Sequence, residues 1–436
     1  MEKKLPMNSR RRLRYWLKNL AIQTGTIKVV RRIRDRLVAP GAVDYRLLEQ
    51  TGETPLPISV TIEPTLACNL RCFMCYQNDY RDRGIAKELR ADGLLEVVRQ
   101  LPPSIQSVYF VGGEVFLKKG FPGLLDAVDN RGLETFITTN GTRIGEEDWA
   151  SLDRMRHLTG IGFSLDGIGP VHDAIRGEGT YEEIVENIRR AQGQHRVYVS
   201  FVMMESNVHQ MTDFAVAVAG VGVREIGFQH EIYCRPGEIA ATRRQLRWTP
   251  QDEIMMTAKL NEWSDDSIAK LYEGMSALRK LERRHRFVAA YEPPFPPEML
   301  PSFYDGTIRK RTRLFCRELT NLRIDPAGNM IHCAFLRKKF GSVLEQPVEK
   351  LWNSVEMRDF RKALLDGNLT PACRRCCKLG QWPGDAPLPQ QVASAPSPNS
   401  GTPLDPECLG NGAVPESASA KEGSLKEMAS RRPQAV

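Results

Sequence analysis

Between residues 58 and 228, six short β-type runs alternate with helix-type stretches, and this alternation restricts the fold more than any other feature of the chain. The runs are ISVTIE (58–63), SVYFVG (107–112), ETFITT (134–139), GIGFSL (160–165), VYVSFV (197–202) and EIGFQ (225–229). Stretches with helical periodicity separate them, among them 91–101, 121–131, 146–155, 181–192 and 208–219. Strands joined through helices run parallel, and their crossovers are right-handed. Six such units predict an α/β fold, an open partial barrel with its functional groups at the C-terminal strand ends. Residues 231–313 read as helical, charged and strand-poor, and PPFPPEMLP (293–301) breaks them. The expected organisation is a basic helical arm (1–50), a barrel (51–230), a helical connection (231–313), a compact cysteine-bearing module (314–380) and a tail (381–436). The tail is rich in Pro, Ser, Ala and Gly, too poor in large apolar residues to bury a core, and is expected to be disordered.

Hydrophobic residues make up 41% and charged residues 26% of the 436, enough for a large buried core. No apolar run reaches the length of a membrane span, and the arginine-rich start is unlike a secretory signal. The net charge of +8 is unevenly spread: residues 1–39 hold twelve Lys/Arg against two Asp/Glu, leaving the rest near −2. The basicity belongs to the arm, not to the rest of the chain. Leu13, Trp16, Leu17 and Leu20 share one helical face there, as do Val30, Ile33 and Leu37. Such an arm suits an anionic membrane surface or a partner protein.

The ten cysteines are 68, 72, 75, 234, 316, 333, 373, 376, 377 and 408. Without a signal peptide, their clustering favours metal or cluster binding over disulfides, in a reducing cytoplasm. CNLRCFMC is C-x3-C-x2-C, on the loop after the first strand. Cys68, Cys72 and Cys75 can ligate three irons of a [4Fe–4S] cube and leave the fourth open. A zinc knuckle would want a fourth ligand, and the next histidine is His157.

The spacing and place of this loop resemble the radical S-adenosylmethionine (SAM) superfamily, and the resemblance extends strand by strand across 58–228. Gly112-Gly113-Glu114 is similar to the family's GGE motif, with Val115 where Pro is frequent. Thr138-Thr139-Asn140-Gly141 resembles its TNG segment. Ser164-Leu165-Asp166-Gly167, His172-Asp173 and Arg176-Gly177 resemble the SLDG…HD…RG stretch of peptide- and sulfatase-maturing members. The resemblance implies that SAM chelates the open iron and is cleaved to methionine and a 5′-deoxyadenosyl radical, which takes hydrogen from a substrate. It also implies that Gly112, Gly113 and Glu114 meet SAM's amino group, that Thr138, Asn140, Ser164 and Asp166 reach its ribose, and that Arg176 pairs with its carboxylate. Each segment taken alone reads equally as a turn or a helix cap. Asn207 is a further candidate with helix capping as its alternative. Met74 and Tyr76 would pack the adenine or simply the core.

Cys316, Gly328 and Cys333, followed by Cys373 and Cys376, resemble the C-terminal SPASM or twitch module of radical SAM maturases. LRIDPAGNMIHC reads as a hairpin. The resemblance implies one auxiliary [4Fe–4S] cluster on Cys316, Cys333, Cys373 and Cys376, with Cys377 as the alternative to Cys376. Four thiolates would saturate that cluster and leave it an electron carrier; a structural zinc site would use the same ligands. Cys234, just past the sixth strand, is either a catalytic thiol or inert packing; Cys408 lies in the tail. The expected function is radical SAM oxidation or rearrangement of a peptide or small natural-product intermediate, with electrons from flavodoxin or ferredoxin. The alternatives are the same chemistry on a lipid or lipid-linked sugar, with residues 1–39 in peripheral membrane contact, and a non-enzymatic zinc protein on nucleic acid. The last leaves the six βα units and GGE unexplained, so no nucleic-acid partner is expected.

Overall fold

The computed structural model describes residues 43–381 except 83, 85–87, 249–252, 257–262 and 309–312. The arm of residues 1–39, the tail from 382 and Cys408 lie outside the described residues. The first helix is α1 (Tyr45–Thr51), started by Asp44, whose carboxylate accepts from the amides of Arg46 and Leu47.

Strands β1 (Ser59–Ile62), β2 (Ser107–Phe110), β3 (Glu134–Thr139), β4 (Leu158–Ser164), β5 (Val197–Met203) and β6 (Glu225–His230) fall on the six expected runs. Helices α2 (Asn78–Asp82), α3 (Ala91–Gln100), α4 (Phe121–Asn130), α5 (Glu146–Arg154), α6 (Pro170–Arg176), α7 (Thr180–Gln192) and α8 (Met211–Gly220) connect them. All six strands pair in parallel with their sequence neighbours. The helices cover the sheet with the faces their periodicity marks: Leu94, Val97 and Val98 of α3, and Ile184, Val185 and Ile188 of α7, are buried. The opposite face encloses Phe136 and Tyr198, with Tyr109 packed against them, which form the floor of the barrel interior.

The segment 231–313 is not only helical. After α9 (Glu238–Leu246) and α10 (Asp265–His285), β7 (Val288–Glu292) adds a seventh parallel strand beside β6. The long α10 is capped by Ser264, with Asp265 and Asp266 in its first turn and Arg283, Arg284 and His285 in its last, charges that complement the helix dipole.

Beyond it come β8 (Leu314–Cys316), β9 (Leu322–Ile324), β10 (Asn329–Ile331), β11 (Lys339–Ser342), helices α11 (Val348–Trp352) and α12 (Val355–Asp366), and β12 (Leu379–Gln381). The expected hairpin is β9–β10, turned at Asp325–Gly328; Gly328 has φ +84°, which glycine adopts without strain. This hairpin continues the barrel sheet, because β9 pairs in parallel with β1 on the edge opposite β2. Among the described residues the sheet therefore has ten strands, β11-β10-β9-β1-β2-β3-β4-β5-β6-β7, while β8 and β12 form a separate antiparallel pair.

Candidate active site at the barrel mouth

The cysteine loop leaves the C-terminal end of β1 and is held by its neighbours' backbones. The amide of Gly113 donates to Thr65 O (2.9 Å) and that of Glu114 to Ala67 O (2.8 Å). Glu88 accepts from the Leu66 amide (2.7 Å) and the Thr65 hydroxyl (3.0 Å), and Lys118 pairs with it at 3.2 Å. On the far side the Phe73 amide donates to Ile175 O (2.9 Å).

Cys72 is buried, and Cys68 and Cys75 are half-buried. Each sulfur faces a side-chain N–H from a different element. Asn140 Nδ2 lies 3.6 Å from Cys68 Sγ, Arg176 Nη1 3.7 Å from Cys72 Sγ, and Arg81 Nη2 3.8 Å from Cys75 Sγ. Burial pushes the Cys72 and Cys75 thiols up; Arg176 opposes this at Cys72, and the Gln77 amide and Arg81 oppose it at Cys75. Cys72 also feels the charges of Cys75 and Cys68, so the three thiols share one neighbourhood. This donor set fits an iron–sulfur cube, which takes one thiolate on each of three irons and N–H donors to sulfur. Among the described residues no three or more His, Cys, Asp or Glu are placed to hold one metal ion. Thiolates of a cube bind separate irons and need not converge on one such point.

The motif at the end of β2 packs against this loop. A Cβ on Gly112 would stand 2.2 Å from Thr65 O, and one on Gly113 would stand 2.1 Å from Ala67 O. These glycines are required by the approach of two backbones. Glu114 is fully buried: Oε1 accepts from the Thr139 hydroxyl (2.8 Å) and the Phe116 amide (3.2 Å), and Oε2 accepts from the Asn140 amide (2.7 Å). Three of roughly four acceptor directions are thus used inside the protein. Burial raises the Glu114 carboxyl to about 7 despite these donors. Asn140 accepts at Oδ1 from the amide and hydroxyl of Thr142, and its Nδ2 also reaches Asn69 Oδ1 (3.1 Å).

At the ends of β4 and β5, Asp166 is fully buried and joins three elements. Its Oδ1 accepts from the Val202 amide (2.7 Å), and its Oδ2 from Arg176 Nε (2.6 Å). The Asp166 amide donates to His172 Nδ1 (3.0 Å), so that nitrogen is the unprotonated one. Burial, aided by Arg176, lowers His172 to about 3, which keeps the ring neutral. Asn207 Nδ2 donates to Asp166 O and Val202 O, both at 2.9 Å, tying the two strand ends together. Thr138 Oγ1 lies 2.7 Å from the Tyr109 hydroxyl, and Ser164 is half-buried at the end of β4. Tyr76 packs edge-on against Phe335, ring centroids 4.7 Å apart.

The second cysteine set also comes together. Cys316 feels Cys373 and Cys333; Cys376 feels Cys316 and Cys373, and burial pushes the Cys316 and Cys333 thiols up. Cys377, a free thiol, is hydrogen-bonded to Cys376 and otherwise feels Lys378, Glu292 and Arg317. Cys234 is fully buried, 3.4 Å from Met256 Sδ and 4.0 Å from Ala372 O, beside Cys373. Burial raises its thiol to about 12, far from thiolate character at neutral pH.

Sequence reasoning passed over the buried charges between the two cysteine sets. Glu63, just after β1, pairs with Arg323 Nη1 and Arg337 Nη2, each at 2.8 Å, and Arg323 Nε reaches Glu318 at 3.3 Å. Lys378 pairs with Glu292 at 3.2 Å. Burial would raise Glu292 and Glu318, but Lys378 and Arg317 hold the first, and Arg323 and Lys378 the second, below the usual carboxylate range. Arg81 was passed over too. The available signal was its place six residues after Cys75, on the helix that leaves the loop.

Residues 62–215 match the family model of the radical SAM superfamily, and residues 316–377 match that of the SPASM iron–sulfur cluster-binding domain. The sporulation killing factor maturation protein SkfB of Bacillus subtilis is 28% identical over 170 residues, 38% of this chain and 41% of that protein. The mycofactocin maturase MftC of Mycolicibacterium smegmatis is 32% identical over 186 residues, 41% of this chain and 46% of that protein. The matches span less than half the length of these relatives. The crystal structure of Streptococcus suis SuiB bound to SAM superposes with a TM-score of 0.54 at 14% identity, covering 78% of this chain and 73% of SuiB, a likeness of fold. The chain therefore carries a radical SAM domain over residues 62–215, whose cofactors are SAM and a [4Fe–4S] cluster, and a C-terminal SPASM domain over residues 316–377 for auxiliary iron–sulfur binding.

Proposed function

We propose that this protein is a radical SAM maturase that oxidises or rearranges a peptide, with one auxiliary [4Fe–4S] cluster on Cys316, Cys333, Cys373 and Cys376. The observation that carries the reading is the barrel-mouth loop in which Cys68, Cys72 and Cys75 each meet a side-chain N–H donor. When bound, the cluster and SAM supply reductive cleavage to methionine and a 5′-deoxyadenosyl radical that removes hydrogen from substrate. The chain's own residues hold and shield that chemistry. Arg176, fixed by Asp166, presents its remaining N–H groups at the cluster side, where a planar fork suits the SAM carboxylate. Thr138, Ser164, Asn140 and Asp166 lie at or next to the C-terminal ends of adjacent strands, within one neighbourhood for the ribose. Gly112, Gly113 and Glu114 fix the loop, and the Glu114 acceptor direction that remains is assigned to the SAM amino group. Cys376 is preferred to Cys377 as an auxiliary ligand because it feels Cys316 and Cys373. Cys234 is assigned to packing. A peptide substrate is favoured by two relatives named as maturation protein and maturase, and by the SuiB structure bound to the precursor peptide SuiA. The electron donor is assigned as a flavodoxin or ferredoxin.

The test is anaerobic incubation of the reconstituted protein with SAM and dithionite, with 5′-deoxyadenosine as the readout. Wild type is expected to form it, and the triple variant Cys68→Ala, Cys72→Ala, Cys75→Ala to form none. Equal formation in both would remove the assignment. Incubation with short peptides encoded beside its gene, read by mass spectrometry, tests the substrate. A mass change confined to a lipid extract would overturn the peptide reading.

A further inference from the structure

We infer that Arg81 sets the reduction potential of the cluster on Cys68, Cys72 and Cys75, by holding a positive charge and N–H donors against Cys75. The inference rests on the proposed function, since it takes that loop to carry the cluster.

The three donors around the loop differ in charge. Asn140 is neutral. Arg176 is cationic, but Asp166, itself fully buried, pairs with it at 2.6 Å and cancels most of its field. Arg81 has no such carboxylate among the described residues. The nearby Asp82 pairs instead with Arg71. Arg81 Nη2 bonds to the neutral Asn78 carboxamide and lies 3.8 Å from Cys75 Sγ. Its Nε and Nη1 are buried with no acceptor. A buried guanidinium with unsatisfied donors is costly, and such groups need an explanation. A thiolate-ligated cluster supplies what this one lacks: negative charge and sulfur acceptors on the side where Arg81 already points.

The electrostatic consequence has a definite sign. One-electron reduction adds negative charge to the cluster. A nearby cation and N–H···S bonds favour the reduced form more than the oxidised one, so they raise the potential. Asn78 fixes the direction of the fork: its Oδ1 accepts from Arg81 while its Nδ2 donates to Cys72 O at 3.0 Å. The short helix α2 thereby couples the position of Arg81 to the loop that carries the three thiolates. Arg81 is a positioning and tuning residue and needs no contact with substrate.

The experiment is a potentiometric titration of full-length wild type, Arg81→Gln and Arg81→Lys, followed by electron paramagnetic resonance. The SAM-site signal is recognised because it changes when SAM is added. In Arg81→Gln its one-electron equilibrium is expected to move about tenfold toward the oxidised form, a fall of ~59 mV. Arg81→Lys keeps the charge and loses the fork, so its midpoint should lie between the two. The auxiliary signal should stay where it is. If Arg81→Gln fails to retain iron, the lysine variant decides, and a midpoint equal to wild type overturns the inference. So does an unmoved midpoint in Arg81→Gln, or an equal shift of both signals, which would report general loosening of the fold. Absence of any SAM-responsive signal in wild type would instead defeat the proposed function, which separates the two failures.

Discussion

Glu114 is a carboxylate enclosed by three donors and shut off from water, so its proton matters to the stability of the barrel mouth. Burial raises its folded pKa to about 7 from an ordinary 4.5. Between those values the native state binds more protons at this site than the unfolded chain does. The contribution is therefore full below pH ~4.5 and is lost as pH rises through ~7, with an upper limit of about 3 kcal/mol. The difference in unfolding free energy between wild type and Glu114→Gln, from urea denaturation across pH 4.5–8, should fall as pH rises. A flat difference would contradict the burial of a titrating Glu114. The glutamine also turns an amide donor toward the Thr139 hydroxyl or the Asn140 amide, which should weaken the junction of β2 and β3 by about 1–3 kcal/mol at neutral pH. At this scale the sequence was legible where chemistry forces spacing. Three thiolates for one cube must be local, and CNLRCFMC shows them directly. The partners that hold Glu114 were not legible, because Thr139 and Asn140 read as the end of a strand and a turn. Arg81 was hidden for a similar reason: an arginine on a charged helix looks like any solvated cation until its distance to Cys75 Sγ is known.

Among the elements, β1 has a central place that its four residues do not advertise. It pairs with β2 on one side and with β9 on the other, so it joins the barrel to the cysteine-bearing hairpin. Glu63 reinforces that join by neutralising Arg323 and Arg337, all three buried. Removing the shared acid leaves Arg323 with Glu318 at 3.3 Å and Arg337 with Glu253 at 3.6 Å, and takes a short pair from each buried guanidinium. Glu63→Ala should destabilise the protein by about 3–5 kcal/mol, the range for breaking a buried pair from one side. Thermal or urea unfolding measures it, and a loss below 1 kcal/mol would show that water or other acids replace Glu63. The six barrel strands were readable because long βα alternation leaves few topologies. β7 was not readable: VAAYE has two alanines, lies between a charged helix and a proline-rich stretch, and is a strand because β6 offers it an edge. The pairing of β9 with β1 was equally invisible, since it joins residues 262 positions apart, Val60 and Leu322 among them, through a register no local pattern records.

The molecule as a whole gathers two cysteine sets: one on the loop after β1 of the long sheet, the other between the end of the β9–β10 hairpin and the separate β8–β12 pair. The first, at the barrel mouth, has Cys68 and Cys75 half-buried and Cys72 buried. In the second, Cys316, Cys333 and Cys376 are buried and Cys373 is half-buried, and Phe335, two residues after Cys333, packs against Tyr76 of the first loop. On the proposed function, a three-thiolate site and a four-thiolate site would hold two clusters in different roles, one reactive and one saturated. The measurement that bears most directly on this division is the iron count of anaerobically reconstituted protein. Wild type should hold about eight irons, and about four should remain both in the Cys68/Cys72/Cys75→Ala variant and in the Cys316/Cys333/Cys373/Cys376→Ala variant. Wild type holding about four irons, or either variant keeping the wild-type count, would contradict it.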